Sequence, residues 1–401
     1  MPDRKLIVSL AYLGREFFLH LFKKYVLRQK SPGIDKFIEY YRDDRITPLT
    51  TIERDRHPDY TKCVACALCD PVCPVFATTG SEKFAGPMDI ASCLSRDLTE
   101  SARWPDPFLS TLCGACDRAC PENVPVSEMI VTLRRKTRIN QPENLPAFYR
   151  DAISSLGLGA GVFGKVALIP NETRGLSPLS TTDESPVLYW RGCREALWET
   201  NTIPKLLDKL GVKFTSVDEI CCGALPFEMG LDYDPSPALE RIRNAGVSII
   251  VTGCPDCANE LGRVLPEMKV KLAAELIYEK GAPNSKILAG KKVAFHDPCR
   301  VGRGTEVWDP PRDIIRNMGG ELVSQEHEKE TAICCGAGGG LLEVDAALAK
   351  KIARNRIDEI MATGADALVT TCELCARNLL SATKEVEKLK VYNITELYLT
   401  G

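Results

Sequence analysis

The sequence predicts a multi-domain chain: a mostly helical, cysteine-bearing domain followed by two duplicated α/β repeats with parallel strands. Three observations lead to that expectation. The 18 cysteines among 401 residues fall into two sets, eight between Cys63 and Cys120 and ten between Cys193 and Cys375. The ten form one five-cysteine pattern written twice. Each copy sets cysteines at the ends of short apolar strands, just ahead of amphipathic helices such as 204–210 and 347–361, the alternation that builds parallel sheets with crossover helices.

The first set opens with Cys63-x2-Cys66-x2-Cys69-x3-Cys73-Pro74, followed by Cys113-x2-Cys116-x3-Cys120-Pro121. The first run has the spacing of a cubane [4Fe–4S] ligand run, because short turns present successive thiolates to different irons. In two-cluster ferredoxins the cysteine ahead of proline ligates the other cluster. Cys63, Cys66, Cys69 and Cys120 are therefore expected to make one site, and Cys73, Cys113 and Cys116 to begin a second, in a two-cluster ferredoxin-like domain. Ser110 stands where the second run would carry its first cysteine. Three readings follow: Cys93 supplies the fourth ligand, which is the one preferred; Ser110 supplies an oxygen; or the site holds a three-iron [3Fe–4S] cluster. Structural zinc, the basis of an alternative reading as a zinc-stapled interaction protein, takes four ligands with a long gap between pairs. It leaves a four-cysteine run closing on proline unexplained.

The second set becomes legible when the C-terminal half is laid against itself. VLYWRGC at 187–193 matches VAFHDPC at 293–299, and Cys221-Cys222-Gly223-Ala224 matches Cys334-Cys335-Gly336-Ala337. SIIVTGCPDC, ending at Cys257, matches ALVTTCELC, ending at Cys375; MKVKLAAEL from Met268 matches LKVYNITEL from Leu389. The offsets grow from 106 through 113 and 118 to 121, the mark of an internal duplication with small loop insertions. In parallel sheets ligands collect at the carboxyl ends of strands, and Cys193, Cys254, Cys299 and Cys372 all follow strand-like runs. Helix N-termini there favour thiolates. Gly336, Gly338, Gly339 and Gly340 are expected to let backbone N–H groups approach cluster sulfurs.

This pattern resembles the cysteine-rich CCG domain of heterodisulfide reductase and its relatives: a cysteine, some thirty residues, Cys-Cys-Gly, a similar gap, then C-x2-C. The second copy has gaps of 34 and 36 residues and the first 27 and 31. The order of a ferredoxin-like domain and two CCG repeats is similar to the fused, D-type component of heterodisulfide reductase over about residues 61–400. The iron–sulfur components of glycolate oxidase and of anaerobic glycerol-3-phosphate dehydrogenase share it, though they commonly lose part of the first C-x2-C, kept here as Cys254 and Cys257. The resemblance implies up to two noncubane [4Fe–4S] clusters. Cys193, Cys221, Cys222, Cys254 and Cys257 would hold one, and Cys299, Cys334, Cys335, Cys372 and Cys375 the other, and these ten are the candidate catalytic residues.

That resemblance implies an iron–sulfur oxidoreductase subunit working on a disulfide or dithiol. Cleaving an S–S bond takes two electrons and the clusters deliver one each, so a pair facing a common pocket suits the task. The alternative is an electron-transfer subunit for a flavin-dependent 2-hydroxyacid or glycerol-3-phosphate dehydrogenase, delivering electrons to quinone. His296 is placed to protonate a departing thiolate, but a histidine capping a strand end is the commoner arrangement. Asp297, Arg300 and Arg303 are read as solvated charges.

The remaining sequence bears on partners and location. Net charge is −3, which gives no sign of nucleic-acid binding, and cubane ligands require reduced thiols, hence the cytoplasm. Residues 6–14 are apolar enough for the core of an export signal, but no small-residue cleavage site follows, so export is not expected. Leu6, Leu10, Leu13, Phe17, Leu21 and Phe22 share one helical face, with Phe18 and Tyr25 beside it and Lys23, Lys24, Arg28 and Lys30 following. Arg15, Glu16 and His20 interrupt the face and exclude a membrane span. A basic amphipathic helix suits the membrane surface or a membrane subunit, so the expected partners are a quinone- or cytochrome-linked membrane subunit, a flavoprotein, or both, on the cytoplasmic face. The expected divisions are 1–60 (helix and arm), 61–140 (ferredoxin-like), 141–186 (helix and linker), 187–290 and 291–401 (the two repeats).

Overall fold

The structure, a computed structural model, describes residues 4–28, 33–40, 51–95, 107–157, 187–217, 221–231, 233, 236–244, 246–281, 285–383 and 388–401. Of the helix and linker expected at 141–186, residues 158–186 lie outside the described residues. The chain forms two units, residues 1–50 and 51–401. In the first, the helix Arg4–Leu21 continues as a π-helical turn over Phe22–Val26, and Gly33–Tyr40 forms a second helix. Leu10, Leu13, Phe17, Phe18, Phe22 and Tyr25 are exposed. No helix among the described residues is long and apolar enough to cross a membrane.

The second unit begins earlier than the sequence suggested. The helix Thr51–Tyr60 lies against the helix Val126–Asn140, through Arg56 to Glu128 (2.8 Å) and Arg135 Nε to Glu53 (2.8 Å). It belongs to the ferredoxin-like body rather than to an N-terminal arm. Tyr60 is buried there in one apolar cluster with Val75, Phe84, Ile90, Met129 and Leu133.

The duplication read in the sequence is a duplication of topology. The strands are β1 Val187–Trp190, β2 Thr215–Val217, β3 Ile249–Thr252, β4 Lys269–Leu272, β5 Lys292–His296, β6 Glu321–Leu322, β7 Ala367–Thr370 and β8 Lys390–Asn393. They form two sheets of identical plan, β2-β1-β3-β4 and β6-β5-β7-β8, with every pairing parallel. Val187 stands opposite Ile249 in the first sheet and Val293 opposite Ala367 in the second. The expected α/β repeats with parallel strands are thus observed.

Strand periodicity decides what each sheet face does, because successive side chains point to opposite faces. Val187 and Tyr189 of β1 and Val293 and Phe295 of β5 enter a single apolar cluster, which also takes Leu206, Ile277, Ile315 and Leu397. The two repeats therefore share one core. Leu188 and Trp190 point the other way, into a cluster with Cys222 and Cys257; Ala294 does the same beside Cys335, Cys372 and Cys375. Each sheet has one face for packing and one face for cysteines.

The ferredoxin-like body is packed on the repeats rather than hinged from them. Leu341, Leu348, Ala349 and Ile352 of the second repeat join its apolar cluster. At the junction lies Arg134, fully buried on the helix Val126–Asn140. Its guanidinium donates to the carbonyls of Pro107 (3.0 Å) and Ser110 (2.7 Å), of Glu228 in the first repeat (2.8 Å) and of Gly339 in the second (2.8 Å). Hydrogen bonds to a charged group contribute about 1.5–3 kcal/mol each, and a buried acceptor left without a donor costs about 1–3 kcal/mol. Arg134→Met should destabilise the chain by at least about 3 kcal/mol in urea unfolding, and Arg134→Lys should recover little, because a point charge lacks the planar fork. Wild-type stability in either variant would show that the four carbonyls find other donors.

Candidate metal centres

The two ferredoxin-type runs fold alike. In the first, Ala65 (φ 55°) and Ala67 (φ 62°) flank Cys66; in the second, Leu112 (φ 49°) and Gly114 (φ 73°) flank Cys113. Left-handed backbone at non-glycine residues costs of order 1–3 kcal/mol and persists where a site over-determines it. Here it turns the chain so that successive thiols converge. The aspartates that follow Cys69 and Cys116 play matching parts. Asp70 accepts the Met88 N–H (2.9 Å) and Asp117 the Ser127 N–H (2.8 Å), each at the start of a helix.

Two recesses result. Cys63, Cys66, Cys69 and Cys120 line the first, with Met88, Ala91 and Val124. Cys73, Cys113 and Cys116 line the second, with Phe84, Ile130 and Ser110. The cross-over of Cys120 and Cys73 follows the ferredoxin pairing. Ser110 is buried and occupies the structural place that Cys63 holds in the first run. Cys93, the ligand preferred from sequence, lines neither recess. It lies half-buried on the helix Pro87–Leu94, whose inward face is given to Ile90, Ala91 and Leu94.

The ten remaining cysteines converge at the sheet ends as two sets. In the second repeat the thiols neighbour one another in the order Cys299, Cys334, Cys335, Cys375 and Cys372. In the first, Cys221, Cys222, Cys257 and Cys254 neighbour one another in that order, with Cys193 near Cys254 and Cys222. The glycine after each pair is left-handed, Gly223 at φ 92° and Gly336 at φ 87°. That conformation returns the Gly223 N–H to Cys221 Sγ (3.4 Å) and the Gly336 N–H to Cys334 Sγ (3.3 Å). A side chain at 336 would also strike the Ala349 carbonyl, 2.5 Å from the position of its Cβ.

Gly338 and Gly339 also have a packing role. Cβ atoms at Gly338 and Gly339 would meet the carbonyl oxygens of Thr111 at 2.9 Å and Ser110 at 2.6 Å. These glycines let the backbones of the second repeat and the ferredoxin-like body approach. Asp297, Arg300 and Arg303 are not solvated. Asp297 is buried against Arg312 (2.8 Å), Arg300 pairs with Asp256 (2.8 Å) and Glu228, and Arg303 donates to the Cys113 carbonyl (2.7 Å).

The four sets form a row. Cys69 neighbours Cys116 between the two recesses, the Cys113 thiol neighbours Cys334, and Cys254 neighbours Cys372. Along this row the cysteines of the second repeat stand between those of the ferredoxin-like body and those of the first repeat. Sequence alone suggested only that the two repeats share a pocket.

These donor sets fit iron–sulfur clusters. Five thiols in contact exceed what tetrahedral zinc takes. In addition, His296 Nε2, Trp190 Nε1 and Arg303 Nη2 are buried with no hydrogen-bond partner among the described residues, and all three belong to the cysteine-bearing side. Buried donors without acceptors cost about 1–3 kcal/mol each, which sulfur acceptors offset. Cys335, Cys375 and His296 bring their ligating atoms within 4.8 Å of one another. Burial, then the Arg356 guanidinium, pushes His296 down to about 3, so its imidazole is neutral.

Burial pushes the Cys69 and Cys73 thiols up to about 12. Iron must therefore displace protons from them, since the thiolate is the ligand. Cluster assembly on the metal-free chain, followed by visible absorbance, should speed up as pH rises above neutrality and release protons; a rate independent of pH would mean that the thiols are already ionised.

Known proteins share both halves of this arrangement. Residues 59–124 match the family described as 4Fe-4S dicluster domain, and 187–262 and 293–380 match the cysteine-rich domain CCG. An EtfAB:quinone oxidoreductase of Syntrophomonas wolfei is 29% identical over 72% of this chain and 45% of its own length, so this chain spans less than half of that relative. A component of the dihydromethanophenazine:CoB–CoM heterodisulfide reductase of Methanosarcina mazei, the D-type one, is 26% identical over 92% of this chain and 96% of its own length. A component of the fumarate reductase (CoM/CoB) of Methanothermobacter marburgensis, the B-type one, is 28% identical over 86% and 74%.

Proposed function

We infer the function from the family to which the chain belongs, the CCG-domain iron–sulfur oxidoreductases: it is an electron-transferring subunit that passes electrons along its four cysteine sets to a disulfide or dithiol at the CCG repeats. The observation that supports this is the unbroken row from Cys69 through Cys116, Cys113, Cys334 and Cys372 to Cys254. When bound, iron–sulfur clusters supply one-electron carriers whose potentials follow hydrogen bonding, charge and burial. Cys63, Cys66, Cys69 and Cys120 would hold one cubane cluster. Cys73, Cys113 and Cys116 would hold the second, with Ser110 rather than Cys93 in the fourth position, or a three-iron cluster where no fourth ligand enters. The five cysteines of each repeat would hold one noncubane cluster.

The protein's own groups set the environment. Gly223 and Gly336 donate backbone N–H to sulfur, and Arg303 places a cation beside Cys113, Cys299 and Cys334. Reducing a disulfide takes two electrons and two protons and yields two thiols; the meeting of the sets at Cys254 and Cys372 gathers two one-electron sites at one place. The heterodisulfide reductase relative supports this chemistry. The second reading is a relay without its own substrate between a flavoprotein and quinone, favoured by the linear order of the sets and by the name of the Syntrophomonas relative.

The same reading gives the first unit a role at the cytoplasmic face of a membrane that bears the quinone- or cytochrome-linked partner. The helix Arg4–Leu21 exposes aromatic and leucine side chains, and Lys23, Lys24 and Arg28 follow. Such a helix binds the headgroup region by apolar burial plus attraction to anionic lipid.

Two measurements test these proposals. The isolated chain should hold about sixteen irons with matching acid-labile sulfide, and adding a thiol to the oxidised protein should create a new paramagnetic signal; no signal, together with rapid reduction by a flavoprotein, would favour the relay. The full chain should cosediment with anionic phospholipid vesicles in a salt-sensitive way. Leu13→Asp with Phe17→Asp should abolish this without changing iron content. Failure of the unmodified chain to bind would remove direct lipid contact from the proposal.

A further inference from the structure

The duplicated repeats end their first strands on different rings. VLYWRGC superposes on VAFHDPC, so Trp190 at the end of β1 and His296 at the end of β5 are equivalent positions. Strand alternation turns both to the cysteine side. Trp190 packs with Cys222 and Cys257. His296 lies with Cys335 and Cys375, which are the counterparts of that same pair. Both side chains are fully buried, and both leave one ring nitrogen without a partner among the described residues, Nε1 of Trp190 and Nε2 of His296.

An indole has only one nitrogen, and it always bears hydrogen. An imidazole has two tautomers, so the same service requires its proton to be fixed. Arg356 does this. Its Nε–H donates to His296 Nδ1 (3.4 Å), and since arginine is never an acceptor, the imidazole hydrogen is left on Nε2. Arg356 is itself fully buried and held by Gln325 Oε1 (2.6 Å), the His327 carbonyl (3.1 Å) and Glu359. The corresponding position in the first repeat needs no such support.

We propose that Trp190 and His296 are paired positioning residues, each donating one ring N–H to the sulfur of its own repeat's centre and raising that centre's reduction potential, with Arg356 present to fix the histidine tautomer. This rests on the reading that each five-cysteine set holds a cluster. An N–H donor stabilises the more negative, reduced state, and hydrogen bonds to sulfur are among the factors that set cluster potentials.

The test is a redox titration of the full chain followed by electron paramagnetic resonance, with iron and sulfide measured on each sample. His296→Phe should make reduction of the second-repeat centre about tenfold less favourable, about 59 mV for one electron, and leave the first unmoved. Trp190→Phe should do the reverse, and His296→Gln, which keeps an N–H, should recover part of the shift. Unchanged potentials at full iron content, or both centres moving together in each variant, would overturn the proposal. So would selective iron loss in His296→Phe, which would make His296 a ligand. Should the variants fail to fold, the unmodified protein carrying 15N-histidine still decides: a weak nitrogen coupling to the reduced centre is expected, whereas none, or the strong coupling of an iron-bound nitrogen, refutes it. Unmodified protein lacking the CCG-type signals altogether would remove the underlying reading instead.

Discussion

The structure depends on a single buried guanidinium. Arg134 lies where the ferredoxin-like body meets both repeats and gathers carbonyls from all three. The carbonyls belong to short helices and turns, where backbone pairing leaves acceptors over, so a neutral side chain would leave several buried acceptors without a donor. Planar geometry lets one residue meet four acceptors. The same contact fixes the Ser110 backbone against Gly339, and so sets the spacing between the second recess and the Cys299–Cys334–Cys335 group. The architecture of electron transfer is thereby tied to the stability of the fold.

A second constraint comes from the glycines. Gly223 and Gly336 share a backbone conformation that returns an N–H to the cysteine two residues earlier. Gly339, also left-handed, serves a different end by making room for a neighbouring backbone. Identical residues in one short run thus answer to sulfur in one case and to domain packing in the other.

What is legible in the sequence is local or repeated. The cysteine spacings, the strand-ending cysteines and the duplication can be read because they depend on neighbours a few residues away or on comparison of the chain with itself. Nothing local in VSEMIVTLRRKTRIN distinguishes Arg134 from Arg135, Lys136 or Arg138. Its partners are up to 205 residues distant. Asp297, Arg300 and Arg303 read as solvated for the same reason, since the ion pairs of Asp297 and Arg300 and the carbonyls that receive Arg303 come together only on folding. Cys93 attracts attention as the lone cysteine between the two runs, whereas the recess is set by the turns around Cys66 and Cys113. The equivalence of Trp190 and His296 is visible when the repeats are aligned, but its meaning requires knowing which face of each strand the rings occupy.

The shared core has a consequence for how such a chain can be divided. Val187, Tyr189, Val293 and Phe295 belong to one apolar cluster, so neither repeat encloses its own packing face. Each is half of a structural dimer joined in one polypeptide. A single repeat would leave that packing face exposed to water. Joining two repeats of one plan in a single chain lets their two centres differ, as they do at Trp190 and His296.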